Sequence, residues 1–282
     1  MTDDISTLEF VAFDTETTGL RPHSEFMVEL AAVRFRLATG AMEYFQTLVN
    51  PGLPVPPAAT HVHGISDEMV ANAPPLSRVL PSFFRFLEGA VLVAHNAAFD
   101  LGFLSLHSLR LGLAPPTAPV LDSCMFARRV FTDQPSHRLQ SLVEAFGLSE
   151  STFHRALADA KSCMEVFRHT VEKSCGFNAT WENLMAHHGK IYLFANSSRP
   201  LSPARDPEDL RLASLFRALE AKEKIWIRYE GGFSAREVTP LLLYAKGSQR
   251  YMEATCHLDG IRKSFRLDRI REVFETREKG SF

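Results

Sequence analysis

The stretch Phe10-Val-Ala-Phe-Asp-Thr-Glu-Thr-Thr-Gly-Leu20 runs from four apolar residues straight into two acids and a Thr-Gly turn. Its apolar part, Glu9–Phe13, reads as a buried strand bounded by the turn at Thr18-Gly19. Asp14 and Glu16 follow at the end of that strand, two residues apart. Side chains alternate along a strand, so both carboxylates share one face.

Working outward, Met27–Leu37 and Ala41–Val49 flank Thr39-Gly40 and predict a hairpin. Pro51–Ala59 reads as a proline-rich loop. Asp67 to Leu87 reads as a helix, with Pro74 and Pro75 at the entry to its second part and Pro81 expected to kink it. Val91–Ala94 is a short buried strand, Asp100–Leu111 a helix, and Val120–Leu121 a further strand with a helix from Ser123. Leu139–Phe146 is a helix stopped by Gly147. Ala156–Val171 is a helix with the apolar stripe Leu157, Ala160, Met164, Phe167 and Val171. Strands followed by alternating helices and strands predict an α/β domain, a mixed sheet covered by helices.

The rhythm breaks over Ser174–Asp206, where Asn196-Ser-Ser-Arg-Pro-Leu-Ser-Pro has the polar, proline-containing character of a linker. A helix over Glu208–Lys222 follows. Then come five strand-like runs: Ile225–Tyr229, Glu237–Tyr244, Arg250–His257, Arg262–Leu267 and Ile270–Glu275. Their even spacing predicts a small β-barrel. The expected organisation is a first domain over residues 1–175, a linker over 176–207 and a second domain over 208–282.

Composition sets the class. Of 282 residues, 45% are hydrophobic and 23% charged, the balance of a soluble globular protein with a sizeable core. No run of about 18 apolar residues exists, so no membrane span is expected. The opening Met1-Thr-Asp-Asp-Ile-Ser argues against a secretory signal. The four cysteines form no CxxC pair, which fits reduced thiols in a cytoplasmic protein. The net charge of −2 makes no global case for nucleic acid. It is unevenly spread: residues 208–282 hold 15 Lys/Arg against 12 Asp/Glu, and residues 1–207 hold 16 against 21. An acidic body by itself signals solubility. It suits phosphodiester chemistry where the acids are metal ligands, because bound cations reverse the local sign.

Four acids stand out by position: Asp14 and Glu16 at the first strand's end, Asp100 at a helix start just after a buried strand, and Asp159 early in the helix that follows His154. In α/β domains ligands gather at the carboxyl ends of the strands, so these acids can converge. Phosphodiester hydrolysis needs a nucleophilic water and stabilisation of developing charge, and a pair of Mg²⁺ or Mn²⁺ ions serves both. Such hard cations take oxygen ligands. Histidine titrates near neutrality, which makes His154 the natural general base. Each residue alone also has an ordinary reading. Asp14 and Asp100 suit caps or turns, Asp159 a solvated helix position and His154 the surface.

The conjunction carries a resemblance. Phe10-Val-Ala-Phe-Asp-Thr-Glu-Thr-Thr-Gly-Leu20 is similar to the first motif of the DnaQ-like DEDDh exonucleases, the group that includes the proofreading subunit of bacterial replicative DNA polymerase. His95-Asn-Ala-Ala-Phe-Asp100 resembles the second motif, and His154-Arg-Ala-Leu-Ala-Asp159 the third, HxAxxD. His61-Val-His-Gly-Ile65 resembles the family's His-Gly-Ile segment. The likeness covers roughly residues 7–173. It implies a ribonuclease H-like fold with a mixed five-stranded sheet, and 3′→5′ removal of nucleoside 5′-monophosphates from single-stranded DNA. RNA is the alternative substrate, and an idle fold acting as a nucleic-acid-binding regulator is the alternative function. It further implies that Asp14 bridges two divalent cations (Mg²⁺ or Mn²⁺), that Glu16 and Asp159 hold the one activating water, that Asp100 serves the other, and that His154 is the base. Thr17 and Leu20 match positions that meet the terminal nucleotide, by backbone contact and by apolar wedging. His63 and Phe99 are further candidates, with core packing the alternative for Leu20 and Phe99. His61 and His95 are expected to be structural.

In the C-terminal part, Arg262, Lys263, Arg266, Arg269 and Arg271 face only Asp268. Such a run suits a charge-protected edge strand or a phosphate-binding strip. Ile225–Glu275 is similar to WYL domains, small Sm/SH3-like β-barrels, through Arg236-Glu-Val-Thr-Pro-Leu241 and Phe265-Arg-Leu-Asp-Arg-Ile270. The signature tripeptide reads Arg250-Tyr251-Met252 here, keeping only the tyrosine. The resemblance implies a nucleic-acid-binding or regulatory site lined by Tyr251, Arg262, Arg266 and Arg269, with Asp268 orienting the arginines.

Overall fold

Strand β1 (Phe10–Thr17) is buried on both faces from Phe10 to Phe13, which explains its unbroken apolar start. Alternate residues serve two separate cores. Val11 and Phe13 belong to one, with Phe83, Leu101 and Phe194. Phe10 and Ala12 belong to the other, with Val33, Phe126 and Phe167. The computed structural model describes residues 4–148, 154–203, 210–231 and 234–274. The chain divides into two compact units, Met1–Ser197 and Ser198–Phe282.

In the first unit, β2 (Met27–Arg36) and β3 (Gly40–Leu48) form the expected hairpin, and β2 lies antiparallel to β1. On the other side of β1, β4 (Val91–Ala94) and β5 (Pro119–Asp122) run parallel to it. The sheet order is β3-β2-β1-β4-β5-β6, so β1 is central and the sheet is mixed. The sixth strand, β6 (Tyr192–Leu193), adds a short antiparallel edge to the five expected.

Two groups of helices cover the sheet. On the Phe13 side lie α3 (Leu76–Leu87) and α4 (Ala98–Arg110). On the Phe10 side lie α5 (Ser123–Val130), α6 (Leu139–Ala145), α7 (Ala156–Ser174) and α8 (Trp181–His188). The proline-rich stretch turns helical earlier than expected. Helix α1 (Pro57–His63) starts on a proline, whose fixed φ suits a first helical position, and stops at Gly64 with φ 71°. The single helix expected from Asp67 to Leu87 is two, α2 (Asp67–Val70) and α3, with Pro75 capping the second. Pro81 lies inside α3, which continues to Leu87 because Leu80, Phe83, Phe84 and Leu87 are all buried in the core.

The stretch read as a linker, 176–207, is largely built in. Helix α8, β6 and α9 (Phe194–Ser197) belong to the first unit. Leu184 and Phe194 are fully buried there, and Phe194 packs on Phe13 at 6.2 Å. A few well-spaced apolar anchors outweigh a polar average composition, because each buried Leu or Phe contributes about 1.5–3 kcal/mol.

The second unit begins with β7 (Arg199–Pro200) and α10 (Leu210–Ala221), followed by β8 (Ile225–Tyr229), β9 (Arg236–Lys246), β10 (Gln249–Cys256), β11 (Ile261–Arg266) and β12 (Ile270–Phe274). All five expected strands form, and Leu212, Leu215 and Phe216 of α10 join their core. Of the expected small β-barrel, the structure shows the sheet. The order is β11-β10-β9-β8-β12, and among the described residues β11 and β12 do not pair. Spacing along a sequence predicts strand number, whereas closure depends on tilt and stagger set by tertiary packing.

Phe167 touches Phe10, Phe35 and Phe126 with ring centroids 5.6, 6.4 and 5.9 Å away. Phe167→Ala is expected to destabilise the first unit by about 3–5 kcal/mol. The measurement is the urea unfolding midpoint, with the slope unchanged.

Candidate active site

Asp14 and Glu16 continue the β1 face that begins with Phe10 and Ala12, so they point toward α7. Asp159 stands in the first turn of α7. Carboxylate oxygens of Asp14, Glu16 and Asp159 all lie within 4.8 Å of one another. Thr15, between them, points to the opposite face, where its hydroxyl donates to Asp100 Oδ1 at 2.8 Å. Asp100 is buried in the first turn of α4. One strand thus joins the acids of two helices on opposite sides of the sheet. A register shift between Glu16 and Thr17 ends the regular pairing at this point, as bulges beside functional sites do.

The electrostatics are those of a crowded acidic cluster. Burial, then repulsion from Asp100 and Glu16, holds Asp14 well above the usual carboxylate range. Burial, then repulsion from Asp159 and Glu29, pushes Glu16 up to about 8. Burial raises Asp100 to about 7 against the Thr15 hydrogen bond, and Asp159 to about 6 against the bond from His154. Asp159 Oδ1 is buried and has no hydrogen-bond partner. An orphaned carboxylate oxygen inside a set of hard oxygen donors fits divalent cations of the Mg²⁺ or Mn²⁺ type.

His154 stands beside this cluster in the left-handed region, φ 63°, and its backbone N–H donates to Asp159 Oδ2 at 3.0 Å. The Thr17 hydroxyl donates to the Gly19 carbonyl at 2.7 Å, and the Thr18 side chain accepts from Phe26 N at 2.9 Å. These bonds shape a turn whose tip, Leu20, is 81% exposed. Core packing is therefore excluded for Leu20. Phe99 is only partly buried and packs on Phe103 at 5.2 Å, so its ring serves the core at least in part. His63 is buried. Its Nδ1 accepts from Ile65 N at 3.0 Å, its Nε2 has no hydrogen-bond partner, and burial holds its pKa below the usual histidine value. The Thr17 backbone and the Glu29 carboxylate work against that fall, whereas Arg155 and His154 add to it. His95 is a satisfied structural residue between Ser123 Oγ and the His137 carbonyl, as expected. His61 is exposed on α1.

Three residues of this region were not singled out from the sequence. Glu29 lies opposite Glu16 in the β1–β2 register and is fully buried. It accepts from Arg155 Nη2 at 2.8 Å, Arg155 Nε at 3.1 Å and Ala156 N at 3.0 Å. Burial works against its charge, but Arg155, Gln46 and Ala156 outweigh it and lower its pKa. Asp122 accepts backbone N–H groups from Asn96, Ala97, Cys124 and Met125, tying the start of α5 to the turn that leads into Asp100. A lone acid inside the apolar run Val28-Glu-Leu-Ala-Ala-Val33 was the available signal for Glu29. For Arg155 and Asp122 no local signal exists, since their partners are distant in sequence.

In the second unit the residues expected to line a site form a stripe. Tyr251 stacks on Tyr244 with centroids 5.3 Å apart and stands opposite Arg266 in the β10–β11 register. Arg266 forms a two-pronged pair with Asp268 at 3.1 and 2.6 Å. Arg262 lies four residues along the same strand, about 13 Å away at roughly 3.3 Å per residue. It approaches Glu253 at 3.8 Å. Asp268 therefore orients one arginine, and Arg269 is exposed in the turn after β11.

Comparison with known proteins accords with this geometry. Residues 11–167 match the Exonuclease family, and residues 211–275 match the WYL domain. The chain belongs to the exonuclease family, of the DEDD type related to DNA polymerase III subunit epsilon, and carries a WYL domain after it. It is 37% identical over 183 residues to DNA polymerase III subunit epsilon of Treponema pallidum, covering 64% of this chain and 78% of that protein. It is 46% identical over 166 residues to a DNA polymerase III subunit epsilon-like protein of Rhodobacter capsulatus, covering 57% of this chain and 23% of that one. The matched regions thus span from under a quarter to over three quarters of these relatives. Among solved structures, the nuclease domain of a 3′ exonuclease described as a DEDDh family member superposes with a TM-score of 0.53 at 17% identity. That match covers 60% of this chain and 94% of that one. No described helix is long and apolar enough to cross a membrane.

The raised carboxylates predict a pH dependence. Their folded-state pKa values exceed the ordinary 3.8 and 4.5 and reach about 8 for Glu16. The folded protein therefore holds extra protons across that window, and its stability falls as pH rises through it. In EDTA, Tm is expected to drop between pH 6 and pH 8. Mn²⁺ should restore it, and more strongly at pH 8, because cations replace the protons. Asp14→Asn should raise the metal-free Tm at pH 8, by about 2–4 °C for each kcal/mol of repulsion relieved. Thermal melts with and without Mn²⁺ measure both effects.

Proposed function

We propose that the protein is a divalent-metal-dependent 3′→5′ exonuclease that takes single-stranded DNA ends and releases nucleoside 5′-monophosphates. One observation carries the reading: Asp14, Glu16 and Asp159 converge within 4.8 Å, and a neighbouring strand residue holds a fourth acid, Asp100. The site residues would be Asp14, Glu16, Asp100 and Asp159 for two cations, Mg²⁺ or Mn²⁺, with His154 as base. When bound, those cations supply neutralisation of the carboxylates and of the charge developing on the phosphate.

The chain's own residues do the rest. His154, next to Asp159, takes the proton of the attacking water. Water adds to the terminal phosphorus, the bond to the 3′ oxygen of the preceding nucleotide breaks, and that oxygen takes a proton from solvent water while His154 later releases its own to solvent. Exposed Leu20 at the turn tip wedges against the terminal base, and the Thr17 backbone positions its sugar. His63, buried beside Thr17, and the exposed part of Phe99 complete the contact. A single-stranded end reaches the acids directly, whereas a duplex end must fray first.

DNA is favoured by the epsilon-type relatives. RNA is the second reading, supported by a similar fold solved with rAMP. A similar fold, exonuclease I, was solved with a dA16 oligonucleotide. The WYL domain would grip or sense nucleic acid through Tyr251, Arg262, Arg266 and Arg269, with Asp268 holding Arg266.

The test compares labelled single-stranded DNA, single-stranded RNA and blunt duplex, with Mg²⁺ or Mn²⁺ and then EDTA. Mononucleotide release from single-stranded DNA that stops in EDTA is the expected outcome. Binding without cleavage of any substrate would overturn it. Asp14→Ala should abolish turnover, and His154→Ala should lower kcat about 10²–10⁴-fold, the usual contribution of a general base. Leu20→Ala should slow paired ends more than single-stranded ends, read as the ratio of the two rates.

A further inference from the structure

Helix α7 carries Asp159 near its start and follows directly on His154, yet it has no side-chain cap of its own. Its first N–H, from Ala156, is satisfied across the sheet by Glu29 Oε2 at 3.0 Å. The same carboxylate takes the fork of Arg155, Nη2 to Oε1 at 2.8 Å and Nε to Oε2 at 3.1 Å. Gln46 donates to Oε1 at 2.9 Å and fills the remaining side. Glu29 is fully buried on a strand inside the sheet, so it is a fixed point. His154, by contrast, is exposed and sits in a backbone conformation that costs a non-glycine residue about 1 kcal/mol or more. Such a conformation persists only where its surroundings enforce it. The side chain immediately following His154 is the one anchored to Glu29.

We propose that Glu29 and Arg155 form a latch that presents His154 to the reacting water. Glu29, although close enough to Glu16 and Asp159 to repel both, is a positioning residue and not a cation ligand. Its two oxygens already accept four N–H groups, from Arg155, Ala156 and Gln46. This rests on His154 being the general base. A bidentate guanidinium matters here because it fixes orientation as well as charge, which a lysine cannot do.

The test is a double-mutant cycle on the full chain with a single-stranded DNA oligonucleotide and Mn²⁺. Arg155→Met is expected to lower kcat about 10- to 100-fold, the scale of a misplaced catalytic group. KM and the Mn²⁺ concentration for half-maximal rate should move less than about threefold, since Asp159 and its neighbours stay in place. In a His154→Ala background, Arg155→Met should lower kcat no further. Arg155→Lys keeps a charge beside Glu29 and loses the fork, so it gives the same comparison should the methionine variant be unstable. A full additional loss in the His154→Ala background, or a large shift in the Mn²⁺ midpoint, overturns the latch while leaving the base reading intact. If His154→Ala itself turns over at the wild-type rate, the base reading falls and the latch falls with it.

Discussion

Asp14, Glu16 and Asp159 hold carboxylate oxygens within 4.8 Å of one another, with Asp100 tied to the same strand through Thr15. At that separation each fully ionised pair repels by roughly 3–4 kcal/mol at an effective dielectric of about 20. Three such pairs rival the whole net stability of an ordinary domain, about 5–15 kcal/mol. The cluster therefore needs protons or cations, and the raised pKa values are the signature of that need. Everything around it serves to keep the acids together despite this repulsion. The central strand is buried on both faces, so it cannot shift without exposing two cores.

The surroundings answer the repulsion with fixed donors. Arg155 pairs with Glu29, whose carboxylate otherwise adds to the repulsion on Asp14, Glu16 and Asp159. Asp122 spends its oxygens on four backbone N–H groups, which fixes the turn ahead of Asp100 without adding a free carboxylate to the site. His188, on a helix from the stretch read as linker, accepts from the Asp122 backbone N–H at 3.0 Å. Burial pushes that imidazole down to about 4, so it stays a neutral acceptor at ordinary pH. The 176–197 stretch is thus part of the scaffold beneath the site.

The second unit follows a different logic. Its core is made by α10 and one face of an antiparallel sheet. Several of its basic residues are paired with nearby acids: Arg266 with Asp268, Lys263 with Asp259, and Arg271 with Glu230. Exposed pairs of this kind contribute little to stability, about 0–1 kcal/mol each.

Much was legible in the sequence because it is local. The strand ending in Asp14 and Glu16, the hairpin around Gly40, the helix carrying Asp159 and the five C-terminal strands follow from apolar period and turn residues alone. The four acids and His154 could be picked out together only because three short motifs stand in order. Neither the Glu29–Arg155 pair, 126 residues apart in sequence, nor the burial of Phe194 and His188 has a local signature. The same holds for the open strand order of the second unit, since pairing and closure are settled by which edges meet. The sequence by itself determined which residues alternate on which face of β1, because a strand's period is a property of the backbone. Only the tertiary structure decided that α7 and α4 would deliver Asp159 and Asp100 to opposite sides of that strand, because those positions depend on long-range packing that no short window of sequence contains.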